Sequence, residues 1–118
     1  MSDGETSARP LCFVDGAGGA FAAMAAAFAR ARGREAISAT SEDRAVPAEI
    51  GAVLGEVGLG LPEVVHESRA PRAAERVDVD AWRARLHAGE GDLERRALAR
   101  IARDRVERRV DALLASGR

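Results

Sequence analysis

The sequence contains no lysine and no tyrosine, and only one cysteine, one tryptophan and three phenylalanines among its 118 residues. The single cysteine, Cys12, excludes an internal disulfide and a cysteine-rich zinc site. With so few aromatic side chains, Ala, Val and Leu must fill most of the core, which we expect to be thin. The 18 basic residues, all arginine, balance 19 acidic ones, so no net charge attracts nucleic acid or an anionic membrane.

Long hydrophobic runs are also missing. No stretch approaches the ~18 apolar residues of a membrane-spanning helix, and the polar start MSDGETSARP lacks the apolar core of a signal peptide. We therefore expect a cytoplasmic protein that does not bind a membrane. A chain of this length supports one hydrophobic core, so we predict a flexible leader at residues 1–9 and a single domain at residues 10–118.

The first structured segment is predicted to be a strand, a glycine-rich loop and a helix. The apolar run at residues 11–14 stops at Asp15, residues 16–20 read GAGGA, and an alanine-rich helix follows at residues 20–32. Apolar residues recur at helical spacing and form one face of this helix: Phe21, Met24, Ala25 and Phe28. These elements form a βα unit.

The rest of the chain continues the alternation of strands and helices. We predict a strand at residues 36–39, a helix at 47–58, and two short strands at 63–66 and 76–79. A terminal helix is predicted over residues 92–115, with an apolar stripe formed by Leu98, Ile101, Ala102, Val106, Val110, Leu113 and Leu114. Right-handed crossovers then give an α/β fold of three layers, α-β-α, around a small parallel sheet of three or four strands. Ligands of such sheets bind beyond the strand ends, where the glycine-rich loop lies.

Residues 11–30, LCFVDGAGGAFAAMAAAFAR, resemble the opening of low-molecular-weight protein tyrosine phosphatases and arsenate reductases. The shared features are an apolar strand, a phosphate loop, and a helix with Met-Ala and Ala-Phe-Ala-Arg. Weaker similarity continues through residues 45–61 and 91–114. The resemblance implies the phosphotyrosine phosphatase I-like fold. Because the chain is shorter than typical members between residues 68 and 82, we expect one edge of the sheet to be trimmed.

The residues of the family's chemistry are replaced in this chain. The family uses a nucleophilic cysteine after the first strand, an arginine six positions later and an aspartic acid after the last strand. Here Asp15, Phe21 and His87 stand at those positions. The former phosphate loop comprises Asp15, Gly16, Ala17, Gly18, Gly19, Ala20 and Phe21. A carboxylate at Asp15 would repel an oxyanion by roughly 4 kcal/mol at about 4 Å in an effective dielectric near 20.

The resemblance therefore implies a catalytically inactive homologue, a pseudoenzyme without a cofactor that serves as a binding, regulatory or scaffold module. Its expected partner is another protein or a second copy of the chain, because an exposed sheet edge invites pairing. The alternative is an enzyme, or a binder of small ligands or anions, with altered chemistry at the loop from Asp15 to Phe21. In that case Asp15 would be the nucleophile and His87 a proton donor.

Simpler roles compete with these functional ones. Asp15 can accept hydrogen bonds from the N–H groups of its own loop and of the helix start, Phe21 can belong to the core, and Cys12 can be a buried small hydrophobe. The loop glycines also resemble the start of a dinucleotide-binding GxGxxG motif, but the third glycine position holds Phe21. Neither His66 nor His87 has a second ligand at metal-binding spacing, so no metal is expected.

Overall fold

A computed structural model describes residues 9–16, 18–42, 45–82 and 92–116. Its elements follow in the order β1 (Leu11–Asp15), α1 (Ala20–Ala31), β2 (Ala36–Thr40), α2 (Ala48–Gly55), β3 (Val64–His66), β4 (Glu75–Asp78) and α3 (Asp92–Ala115). Two 3₁₀ turns, Glu67–Arg69 and Asp80–Trp82, precede and follow β4. All strands and helices predicted from the sequence are present, with ends shifted by a few residues. Ala17, His87 and all of the predicted leader except Arg9 lie outside the described residues.

The four strands form one parallel sheet in the order β3-β2-β1-β4. β1 is an inner strand: Leu11 lies opposite Ala36 of β2 on one side and Glu75 of β4 on the other. All five residues of β1 are buried, which is why its sequence is a continuous apolar run up to Asp15 rather than an alternating one. The predicted α/β fold with a small parallel sheet is confirmed.

The main core lies on the face of the sheet to which Leu11 and Phe13 point, and α1, α2 and α3 all contribute to it. α1 is buried from Phe21 to Ala29, because it lies between the sheet and the other helices, and its many alanines permit close packing. α3 contributes Ala99, Ala102, Val106 and Val110 to this core.

One member of the stripe predicted for α3 is misplaced. Ile101 is 50% exposed, whereas Val106 is fully buried. A step of five residues turns a helix by about 140°, so Ile101 lies on the side of α3 away from the core. The sequence pattern suggested a wider apolar face than the helix uses.

The opposite face of the sheet carries a smaller cluster. Cys12, Val14 and Ala39 pack there against Val65, Ala70 and Ala74, so within the described residues this face is covered by the segment around the first 3₁₀ turn. The sequence predicts helices on both faces, and the layering differs for a topological reason. β1, β2 and β3 follow one another in the same direction across the sheet, so right-handed crossovers place α1 and α2 on the same side.

The carboxyl ends of the parallel strands meet at one edge of the sheet. Asp15 ends β1, Thr40 ends β2 and Asp78 ends β4. The turn after β4 is held close to β1 by Trp82, whose ring lies 6.1 Å from that of Phe13 at an interplanar angle of 59°.

Among the described helices, none has the length and apolar character needed to cross a membrane.

Candidate functional site

The alternating direction of side chains along β1 places the Asp15 side chain at the start of α1. Successive side chains of a strand point to opposite faces, so Asp15 shares the helix-covered face with Leu11 and Phe13. α1 begins on that face at Ala20, with Gly19 as its N-cap. Asp15 is fully buried there. The strand therefore places a carboxylate, shielded from water, beside the amino end of a helix.

The Asp15 carboxylate caps this helix. Its Oδ2 accepts a hydrogen bond of 2.9 Å from the backbone N–H of Phe21. The first N–H groups of a helix have no acceptor within it and carry the positive end of the helix dipole, which is why they bind anions. Gly19 has no side chain that could cap the helix. The hydrogen bond predicted between Asp15 and the helix start is confirmed, and it supplies an anion from within the chain.

The turn between Asp15 and α1 requires glycine. Gly18 and Gly19 both have φ of 89°, a left-handed conformation that other residues rarely adopt. A Cβ atom at Gly19 would also lie 2.5 Å from Cγ1 of Val64 in β3. Gly18 and Gly19 therefore have a structural function, which is to turn the chain into α1 close to the Val64 side chain of β3.

A second carboxylate, which the sequence did not single out, contacts the same loop. Asp80 Oδ1 accepts a hydrogen bond of 3.0 Å from the backbone N–H of Gly16. The backbone N–H of Asp80 donates in turn to Asp78 Oδ1 at 2.9 Å, which fixes the turn after β4. Because β4 runs parallel to β1, residues that follow the two strands meet at the sheet edge. Knowing that β4 pairs with β1 would have predicted that Asp80 lies near the loop, but the sequence does not reveal the strand order.

Phe21 lies in the hydrophobic core, which is the simpler of the roles that the sequence suggested for it. It is 5% exposed and belongs to the main core together with Met24 and Phe28. The position at which the family resemblance implies an arginine therefore contributes an apolar side chain to the interior, and its backbone N–H donates to the loop carboxylate.

The histidines do not combine with this loop within the described residues. His66 ends β3, where its Nδ1 accepts a hydrogen bond of 3.2 Å from the backbone N–H of Ser68 and so caps the 3₁₀ turn. His87 lies outside the described residues. Among those described, no group of three or more His, Cys, Asp or Glu residues could hold a metal ion.

Cys12 lies on the other face of the sheet, away from Asp15. It is 3% exposed, and burial raises the pKa of its thiol, an effect that the charge of Arg76 partly opposes. It lines a cavity of about 210 Å³ formed with Val14, Glu67, Ala70, Pro71, Arg72, Ala74 and Arg76. The only thiol of the chain is thus buried, weakly acidic and directed away from the loop.

Comparison with known proteins supports the fold. By sequence, no protein-family model and no curated protein matches the chain. By structure, it is similar to an arsenate reductase in the phosphate binding state, with a TM-score of 0.69 and 17% identity over 92% of this chain and 98% of the other. An arsenate reductase in the reduced state gives a TM-score of 0.66 and 18% identity over the same shares.

The chain is a parallel α/β domain, and its similarity to the two reductase structures extends over nearly the whole of each chain. More particularly, the chain has the fold of arsenate reductases and low-molecular-weight phosphatases, as residues 11–30 indicated. At this level of identity the likeness establishes the fold alone.

Proposed function

We propose that this chain is a catalytically inactive relative of arsenate reductases and low-molecular-weight phosphatases that acts as a binding, regulatory or scaffold module. One observation carries the proposal: the fully buried Asp15 carboxylate accepts the Phe21 N–H at the start of α1. At the position where the related enzymes have their nucleophile, this chain has a side chain that caps a helix.

The charges around the loop support the same conclusion. An incoming oxyanion would meet the carboxylate of Asp15 at the helix start and that of Asp80 at Gly16. An oxyanion and a carboxylate in contact repel each other strongly where solvent is excluded. Two backbone N–H groups that an oxyanion needs already donate to these side chains. Cys12, the only thiol, is on the opposite face and cannot replace the missing nucleophile.

Turnover is the direct test. The purified chain is assayed with p-nitrophenyl phosphate, and with arsenate plus a thiol reductant, at several pH values. We expect no turnover above that of buffer. Turnover that disappears in Asp15→Ala but persists in Glu35→Ala would contradict the proposal and support altered chemistry at the loop. Glu35 is a suitable control because it is exposed and directly precedes β2, at the end of the strand away from the loop.

Binding of inorganic phosphate, measured by calorimetry, tests the reason for inactivity. We expect no binding to the unmodified chain and weak binding to Asp15→Asn, which removes the buried charge but keeps an oxygen that can accept the Phe21 N–H. Glu35→Gln should behave like the unmodified chain. Phosphate binding by the unmodified chain would show that the loop still accepts anions.

The proposal also places the protein in the cytoplasm and requires no cofactor. A free, buried cysteine is compatible with a reducing compartment. It further treats residues 10–118 as one domain, which limited proteolysis would test: the core should resist cleavage, and early cuts should fall within residues 1–9.

A further inference from the structure

Among the described strands, the outer edge of β4 has backbone groups that no neighbour pairs with. β4 lies at the end of the strand order and pairs on one side only, with β1. Glu75 N–H donates to the Pro10 carbonyl at 2.7 Å, and Val79 N–H donates to the Val14 carbonyl at 3.0 Å. Because such groups alternate along a strand, those of Arg76 and Asp78 point away from β1. Within the described part of the chain no further strand pairs with them.

This edge carries opposite charges two residues apart. Arg76 lies beside Cys12 and Asp78 beside Val14, so both side chains are on the sheet face that carries the Cys12 cluster, opposite the main core. The Arg76 side chain remains 62% exposed although it pairs with Glu67 at 2.9 Å. Asp78 is exposed and uses one carboxylate oxygen to accept the Asp80 N–H. Both charged groups can therefore still reach a neighbour along the edge.

We propose that two copies of this chain associate through β4, antiparallel, with a two-fold axis at Val77. In this register Arg76 lies opposite Asp78 of the partner subunit, and the axis repeats that pair. The outward N–H and C=O groups of the two residues then exchange hydrogen bonds, as in a regular antiparallel ladder. Opposite charges face each other at both positions, which stabilises a cross-strand pair.

Other registers fail on charge or on hydrogen bonding. An axis at Arg76 places two guanidinium groups opposite each other, and an axis at Asp78 does the same with two carboxylates. A shift of one residue sets an outward-pointing residue against one that already bonds to β1, so the ladder cannot form. The Val77 register satisfies both conditions, and it does not depend on whether the loop is catalytic.

The association should be weak. β4 has only four residues, and a permanent interface usually buries more than about 1,000 Å². We expect a reversible dimer whose population rises with concentration in sedimentation velocity of the full chain. A second copy of the chain is a fitting occupant because the edge is complementary to itself.

Charge reversal tests the register. Arg76→Asp places carboxylates opposite one another, Asp78→Arg does so with guanidinium groups, and each variant should dimerise about tenfold more weakly. A mixture of the two variants restores opposite charges at both positions and should form a heterodimer at least as readily as the unmodified chain. Arg108→Asp, an equal charge change at an exposed site of α3, on the other face of the sheet, should have no effect. Circular dichroism confirms that each variant is folded.

Hydrogen exchange reports on the backbone itself. The amides of Arg76 and Asp78 should exchange more slowly as concentration rises, while the Val77 amide, which faces β1, should be protected throughout. A chain that stays monomeric at every concentration would overturn the proposal. So would a dimer that neither reversal weakens, or a mixture that associates no better than its two components.

Discussion

Two regions of the molecule hold a carboxylate at the end of a helix, and they do so in opposite ways. In the loop before α1, Asp15 is fully buried and accepts a backbone N–H. After α2, Glu56 lies at the surface and accepts hydrogen bonds from two arginines of α3: from Arg100 at 2.8 and 2.6 Å, and from Arg103 at 3.0 Å. The first carboxylate is fixed by the backbone and the second by flexible side chains.

The comparison shows that the carboxylate with the stronger ion pairs is not the one that contributes more to stability. Hydrogen bonds from Arg100 are the largest cause of a Glu56 pKa of about 2, instead of an ordinary 4.5. Water and salt nevertheless screen this exposed group, so its contribution to stability is small. Asp15 is buried, and its removal leaves a buried helix start without the acceptor of the Phe21 N–H. We expect the loop to be the more sensitive region.

Gly19→Ala should have the largest effect. The substitution adds a Cβ atom 2.5 Å from Val64 Cγ1 and forces φ of 89° on a residue that resists it. Strain and the displaced strand together should lower the free energy of unfolding by about 3 kcal/mol. Gly33→Ala is the matched control, because Gly33 has φ of 81° but nothing within 4 Å of a Cβ atom. It should lose about 1 kcal/mol in urea denaturation. Equal losses would show that the contact with β3 is unimportant.

Asp15→Ala should come next, with a loss of about 2 kcal/mol, because the Phe21 N–H loses its buried acceptor. Asp15→Asn keeps an acceptor oxygen and should lose less in the same urea experiment. The opposite result would be informative: residues kept for chemistry often reduce stability, so a more stable Asp15→Ala chain would favour a functional role for this carboxylate.

The part of the loop that the sequence predicted correctly is formed by local interactions. The apolar run of β1, the two glycines and the alanine-rich helix follow one another in the chain, so their pattern predicts a strand, a turn and a helix. The capping by Asp15 joins residues only six positions apart, and Phe21 falls in the apolar stripe of its own helix. Such features depend on short-range geometry, which the sequence records directly.

The features that the sequence did not predict depend on strand order. Asp80 contacts Gly16 across 64 positions of the chain, only because β4 lies beside β1. The same order places α1 and α2 on one face of the sheet. Glu56 reaches Arg100 only after α2 and α3 have packed together. Periodicity within a segment carries no information about which segments become neighbours, so these contacts remained hidden.

Glu56→Gln should have the smallest effect and a distinctive dependence on pH. Because the folded pKa of about 2 lies below the ordinary 4.5, the ion pairs stabilise the chain above pH 4.5, and this stabilisation is lost as the pH falls towards 2. The melting temperatures of the variant and the unmodified chain should therefore differ slightly near neutral pH and converge in acid. High salt should also reduce the difference. Asp104→Asn, which removes an exposed contact to Arg103 alone, is the control. A difference that persists in acid would mean that Glu56 stabilises the α2–α3 contact by packing rather than by charge.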